Sequence, residues 1–239
     1  MGKIVARNAD VFVQGRDISG QMNQVTLSLT AEAPDVTSFG DDDRTRLADT
    51  LKDAELSVNG FWNSSASNVD ELFSSVLGAS AFAGFYPESA SSGYSGREFR
   101  GVMTDYNTES SVPDATGVSA TISGSSNVHY GNSLGYTTFS GTASGALGSV
   151  DFTANSASVV VIWRVLEYGA SATGVSASYQ HSNDDASFTT LIDMGTITGP
   201  NESACQSATS ACRYRRLKYV ATGSAATATI QAFSGSIVG

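Results

Sequence analysis

A histidine, a serine and an aspartate fall together at His181-Ser182-Asn183-Asp184, the residue types from which a base-activated nucleophile is built. Neighbours on an extended strand point to opposite faces, however, and no Gly-x-Ser-x-Gly elbow accompanies them. The spacing argues for a surface histidine at a turn. His129 is the other histidine. Cys205 and Cys212 lie too far apart for a Cys-x-x-Cys redox pair, and no second pair completes a zinc site. They are two free thiols or one short-loop disulfide, and the exposed Ser/Ala-rich hairpin predicted over 201–212 favours the bond, worth about 2–3 kcal/mol. Walker, dinucleotide-binding and His-Glu-x-x-His motifs are missing. Two acids brought together by folding could cleave a glycoside, but nothing singles out a pair. The chain is therefore expected to be no enzyme and to hold no cofactor or metal.

Two charged clusters remain. Asp41, Asp42, Asp43, Arg44 and Arg46 put five charges in six residues. They lack the Asp-x-Asp-x-Asp-Gly spacing that wraps a calcium ion, so they form either a solvated loop or a contact. Arg213, Arg215, Arg216 and Lys218 interleave with Tyr214 and Tyr219, which could hold nucleic acid by charge and stacking. Strand alternation sends Arg213, Arg215 and Tyr219 to one side and Tyr214, Arg216 and Lys218 to the other. With the charge split, pairing with an acidic surface of a neighbouring subunit is the better reading, and Asp41–Asp43 is a candidate partner.

The elements that must carry these residues are short. Asn68 stands as an N-cap with Glu71 three residues on, and Gly78 stops the helix. Between them Val69, Leu72, Phe73, Val76 and Leu77 form one apolar stripe, predicting a helix over 68–78 that packs on a sheet. Leu56 and Val58 alternate with Ser57 and Asn59; Val25, Leu27 and Leu29 alternate with Thr26, Ser28 and Thr30; Val118, Ala120 and Ile122 alternate with Ser119, Thr121 and Ser123. Each pattern predicts a strand with one apolar and one uncharged hydroxyl face. Such a face suits a surface that lies against something or lines a passage, or it reflects a Ser/Thr-rich composition.

The weakly patterned Gly/Ser/Thr stretch 125–148 reads as a boundary between residues 1–130 and 131–239. Beyond it, six short apolar segments predict a second β-sandwich or barrel. Its Val175–Ser182 echoes Leu56–Ser64, and Arg213–Arg216 echoes Arg97–Arg100, so the second part is either a duplicate of the first or an added sandwich. In that part Trp163, Tyr168 and Tyr179 would suit a carbohydrate-binding module, the second functional class considered.

A chain of 239 residues can bury one large or two ordinary cores. Its net charge of −10 gives it no electrostatic reason to grip phosphates. Only 15% of its residues are charged, so small uncharged polar groups must cover most of the surface. No run of about 18 apolar residues predicts a transmembrane helix. The N-terminus has no apolar core of a signal peptide, and Ala6 occupies the Ser/Thr position of a myristoylation motif.

Several stretches then occur in a telling order: Asp17-Ile18-Ser19-Gly20 before the strand Val25–Leu29, then Asp35-Val36-Thr37-Ser38-Phe39-Gly40-Asp41, Arg46, Leu51-Lys52-Asp53, Leu56-Ser57-Val58-Asn59-Gly60-Phe61, the helix Val69–Leu77 and Phe85-Tyr86-Pro87. In these residues and their spacing the chain resembles the tail tube (major tail) proteins of long-tailed bacteriophages, over residues 1–130. The resemblance implies a mainly β fold, an antiparallel sandwich or barrel with one flanking helix, and subunits closing into rings that stack as a hollow tube for genome ejection. It implies a virion location and partners among tail proteins: tape measure, tail tip and terminator, with DNA passing unbound. The loop Phe39–Leu51 would reach the neighbouring ring, through Phe39, Asp41, Asp42, Asp43, Arg44, Arg46 and Leu51. A duplicated chain would need three copies per ring and an unduplicated one six.

Overall fold

Burial alternates along Lys52–Phe61: Ala54, Leu56 and Val58 are buried, whereas Asp53, Glu55, Ser57 and Asn59 are not. That period of two builds one buried sheet face. The computed structural model describes residues 8–40, 42–47, 52–63, 69–112, 114–141, 143–168, 173–199, 202–223 and 227–237. In chain order the elements are β1 (Asp10–Val13), β2 (Arg16–Asp17), β3 (Met22–Ala31), β4 (Lys52–Phe61), α1 (Val69–Val76), β5 (Ser80–Tyr86), β6 (Ser95–Glu109), β7 (Gly117–Gly124), β8 (His129–Ser140), β9 (Ser144–Ala146), β10 (Val150–Asp151), β11 (Ser156–Tyr168), β12 (Gly174–Ser182), β13 (Thr189–Ile197), β14 (Glu202–Ala211), β15 (Tyr214–Thr222) and β16 (Thr227–Ile237). The expected class holds: mainly antiparallel β with a single α-helix among the described residues.

The chain divides into two compact units that do not follow its halves. The first comprises Gln21–Ser80 and Gly101–Asn127. Its strands run β3-β4-β7-β6, antiparallel throughout. The helix buries Val69, Leu72 and Phe73, and the Phe73 ring meets Tyr106 of β6 edge-on at 5.6 Å. Tyr106 donates its hydroxyl to Asp70, and Val69 N–H donates to Gln21 Oε1 at 3.3 Å. The expected cap Asn68 lies outside the described residues. Gly78 terminates the helix at φ +74°, a left-handed conformation that favours glycine, and its N–H donates to Met103 O at 2.9 Å. The apolar stripe is shorter than expected. Val76 is only partly buried, and Leu77, past the last helical turn, is 50% exposed in a bridge to Met103.

The second unit comprises Met1–Gly20, Ala81–Arg100 and Val128–Gly239. One sheet follows the order β14-β11-β16-β8-β6-β5-β1-β2 and the other β10-β15-β12-β13, with β9 also on β15. Between them lies a core of Val159, Val161, Trp163, Val165, Val175, Tyr179, Leu217 and Ile230. β11 is buried on both faces, because Val160 and Ile162 enter a second cluster with Phe12, Tyr86 and Phe233, and a continuous apolar run is what such a strand requires.

The division expected at 130/131 cuts through β8, which pairs with β16 from end to end and with the start of β6. The glycine that made this stretch read as a linker serves close strand approach: a Cβ on Gly131 would stand 2.1 Å from Ser234 O. The segment expected as the Cys205–Cys212 loop is likewise the strand β14. The echo of Leu56–Ser64 in Val175–Ser182 is not continued by the elements that follow, since β4 leads to α1 but β12 leads to the strand β13.

Candidate assembly surfaces

The three hydroxyl-faced strands stand side by side in register. Thr26 pairs with Ser57, Ser57 with Thr121 and Thr121 with Asp105. One row along, Gln24 is followed by Asn59, Ser119 and Asn107. Thr104 Oγ1 and Ser123 Oγ share a hydrogen bond of 3.2 Å. By strand alternation this face also carries Asp53, Glu55 and Asp105, and none of its four strand segments sets a lysine or arginine on it. The result, over residues 101–109 of β6 and its three neighbours, is a wide hydroxyl, amide and carboxylate surface, and Arg100, one alternation beyond Val102, is the first cation on that face.

β3 forms the edge of this unit. Among the described residues it pairs only with β4, and none of its ten residues is buried. Val25 and Leu27 reach partial burial opposite Val58 and Leu56, while Leu29 is 46% exposed. The alternation predicted a half-buried strand; β3 instead has a covered edge, an open edge and a thinly covered apolar face. Beyond the bulge between Met22 and Gln24, the outer edge carries no proline or lysine and forms a template for another strand.

From the end of β3 an arm projects. Val36 N–H donates to Thr45 O at 2.9 Å, and Leu47 N–H donates to Pro34 O at 3.0 Å. Asp35 bridges Arg46 in the backbone ladder, and its carboxylate meets Arg44 Nε at 3.2 Å. Hydrogen bonds from the Thr37 hydroxyl and then its N–H hold the Asp35 carboxyl below its ordinary range. These bonds make the base a hairpin. At its tip Phe39 is fully exposed, and Asp42 and Asp43 are exposed as well. Asp41 and Leu51 of the expected loop lie outside the described residues.

The arginine cluster behaves differently from its reading as a subunit contact. Arg215 is 2% exposed; its guanidinium donates to Ser156 Oγ at 2.5 Å and Cys212 O at 2.9 Å and lies over the Phe152 ring. Arg216 donates to Gln180 Oε1 at 3.0 Å and covers Phe188. Arg213, just before β15, clasps Asp151, whose carboxyl is thereby held low. The cations are used within their own unit, and Arg215 is no outward contact because alternation turns it into the core with Leu217 and Tyr219.

No triad forms at His181. Ser182 Oγ donates to Asp184 Oδ1 at 2.7 Å, while His181 Nδ1 accepts from Cys212 N–H at 3.1 Å. Asp184 also accepts from the backbone at Ser187 and Ala186, which with Ser182 lowers its carboxyl to about 2. Cys205 and Cys212 are free. Cys205 sits within β14 and Cys212 just past its end, so seven steps at about 3.3 Å each hold the pair far beyond disulfide reach. Trp163 and Tyr179 are fully buried in the sandwich core and offer no sugar platform. Among the described residues no three His, Cys, Asp or Glu side chains gather as metal ligands, and no helix is long and apolar enough to cross a membrane.

One constellation was not singled out by the sequence motifs. Glu98 and Arg164, both fully buried, are joined by Nη1–Oε1 and Nη2–Oε2 contacts of 2.8 and 2.6 Å. Tyr86 donates to Glu98 Oε1 at 2.6 Å, Arg164 donates to Gln231 Oε1 at 2.8 Å, and Gln231 donates to Tyr86 at 3.0 Å. Burial and then the Glu98 carboxylate push the Tyr86 phenol far up. Burial works against the Arg164 charge, yet Glu98 outweighs it and the guanidinium is raised above its ordinary value. The available clue was an arginine inside the apolar run Val159–Leu166.

The fold defines an antiparallel β protein of two interleaved units. No protein-family model matches the chain, and no curated protein matches it. Among solved structures, a chain in the virion of a native gene transfer agent particle aligns at TM-score 0.42 and 15% identity, covering 51% of this chain and 95% of that one. A chain in the tail of an empty gene transfer agent particle, of C6 symmetry, aligns at TM-score 0.36 and 14% identity over 45% and 80%. The Dit protein of SPP1, described as a paradigm of the hub adsorption apparatus in phages infecting Gram-positive hosts, aligns at TM-score 0.36 and 12% identity over 95% and 99%.

Proposed function

We propose that this chain is a structural protein of a phage virion, with no catalytic role and no cofactor, whose unit Gln21–Ser80 and Gly101–Asn127 joins copies of itself into rings stacked as a tail tube. The observation that carries the reading is β3: ten unburied residues, an open edge and a thinly covered apolar face, continuing into an arm that exposes Phe39 completely. An isolated protein leaves such an edge open to aggregation, whereas a ring closes it by pairing it with the next copy. The hydroxyl, amide and carboxylate face of β3, β4, β7 and residues 101–109 of β6 then lines the passage, where phosphates meet carboxylates and hydroxyls and find little counter-charge to hold them. The arm engages the adjacent ring, and tape measure, tip and terminator proteins meet the tube's ends. Because the strand following β12 replaces the helix that follows β4, duplication of the ring unit loses support, and six copies per ring are favoured over three.

Negative-stain microscopy of the purified full chain tests this. Rings or tubes are expected. Removing residues 41–46, or changing Phe39→Asp, leaves the circular dichroism of the folded protein and abolishes stacking. Single particles at every concentration overturn the ring reading; tubes that persist in both variants overturn the role of the arm.

A further inference from the structure

In the sandwich unit a cleft of about 400 Å³ opens beside β8, lined by Ser91, Ser92, Leu134, Tyr136, Thr137 and Leu147, with glycines at 135 and 148. Its shape originates in a bulge. β8 pairs Gly135 with Ala232 and Ser133 with Phe233, so Leu134 is an extra residue in the ladder. A bulge bends its strand and re-aims the side chains beyond it. Here it leaves Leu134 fully buried as floor and Tyr136 57% exposed at the rim.

The opposite wall is pinned to that bulge. Ser133 Oγ donates to Ala90 O at 2.5 Å and accepts from Gly135 N–H at 3.0 Å. Ser133 N–H donates to Tyr94 O at 2.8 Å, and Gly93 N–H donates to Ser133 O at 2.9 Å. Asn132 Nδ2 adds a bond of 2.6 Å to Gly93 O, and Ala90 N–H is held by Asp10 Oδ2. The loop carrying Ser91 and Ser92 is thus fixed before any ligand arrives. Little spare room surrounds it: a Cβ on Gly135 would lie 3.3 Å from Ser92 Cβ, and one on Gly148 would lie 3.4 Å from Ser92 Oγ.

The lining selects the ligand. It contains no charged side chain, and the chain carries a net charge of −10, so phosphates and carboxylates find repulsion and no partner. Without a carboxylate in the wall, cations have none either. What the cleft offers is a tyrosine face, two buried leucines and the hydroxyls of Ser91, Ser92, Tyr136 and Thr137. We infer that this cleft binds a neutral saccharide, with the C–H face of a pyranose on Tyr136 and its hydroxyls on the serine and threonine wall. Its volume falls in the range of about 300–1,000 Å³ that small-ligand sites occupy. The inference stands apart from ring assembly.

The test titrates the full chain with glucose, galactose, rhamnose and N-acetylglucosamine by saturation-transfer NMR, which observes the sugar and reads single particles and large assemblies alike. At least one saturates with a Kd of about 1–10 mM, as a dozen or so heavy atoms permit, and Tyr136→Ala weakens it at least about tenfold. Gly148→Val, which narrows the cleft without entering the core, weakens it as well. Both variants are first shown to melt like the parent. If no sugar saturates by about 100 mM, or if affinity survives both substitutions, the inference is overturned.

Discussion

Changing Glu98→Leu leaves the Arg164 guanidinium inside the sandwich unit with its counter-charge gone. Both side chains are fully buried, and the two lost contacts measure 2.8 and 2.6 Å. Gln231 Oε1 remains as an acceptor at 2.8 Å, but a neutral amide does not offset a buried charge. Breaking a buried pair from one side costs about 3–5 kcal/mol. With a urea dependence of about 2 kcal/mol per molar, the midpoint should fall by about 1.5–2.5 M. The double variant Glu98→Leu with Arg164→Met removes both charges, and Gln231 still donates to Tyr86. It should return to within about 1 kcal/mol of the parent. The assay is favoured by the two tryptophans. Trp163 is fully buried in the sandwich core, whereas Trp62 belongs to the helix-bearing unit and is 42% exposed. In a Trp62→Phe background, fluorescence therefore follows the unit that holds the pair. A single variant whose midpoint moves by less than about 0.3 M, or a double variant as weak as the single, would refute the reasoning that an uncompensated charge is what destabilises.

Two further outcomes follow from geometry already described. Gly78→Ala forces an L side chain to φ +74° at the end of α1 and should cost about 1–2 kcal/mol, read as a lower melting temperature of the helix-bearing unit; an unchanged melting temperature contradicts the helix stop. His129 and His181 are both held below the ordinary histidine range, by burial first and, for His181, also by Arg215. A histidine lowered in the folded state contributes stability that is complete above its unfolded value of about 6.5 and is lost as pH falls through that value toward the folded one. The urea midpoint of the sandwich unit should accordingly drop between about pH 7.5 and 5.5, less steeply in His181→Asn; a midpoint that rises on acidification contradicts the assignment.

Local patterns carried the reading wherever the period of burial equals the period of the backbone. Leu56 and Val58 alternate with Ser57 and Asn59 in sequence and in burial, and Val69, Leu72 and Phe73 keep the helical spacing. Leu77 continued the stripe on paper but lies past Val76, where the chain has already turned toward Gly78. The alternation of β3 correctly marked a strand but could not say how much of it a neighbouring element covers, since that depends on tertiary placement. Residue type misled twice. β14 carries no Val, Ile or aromatic residue, and it is a strand because β11 pairs along it from Ser156 to Val165. Arg215 was placed outward by the habit of charged residues, although Ser156, 59 positions away, supplies its partner. The pocket at Tyr136 was hidden for the same reason: its bulge exists only opposite Ala232 and Phe233.

The interleaving of the two units has a practical consequence for anyone who would separate them. A fragment ending at Asn127 contains the whole helix-bearing unit, but it also carries Phe12 and Tyr86, which are buried against Val160, Ile162 and Phe233 of strands it no longer has. A fragment beginning at Val128 has the reverse defect, with Arg164 stripped of Glu98. No single scissile point yields either half intact. To isolate the helix-bearing unit one would excise residues 81–100 and rejoin the ends, whereas to isolate the sandwich one would bridge Gly20 to Ala81 and Arg100 to Val128.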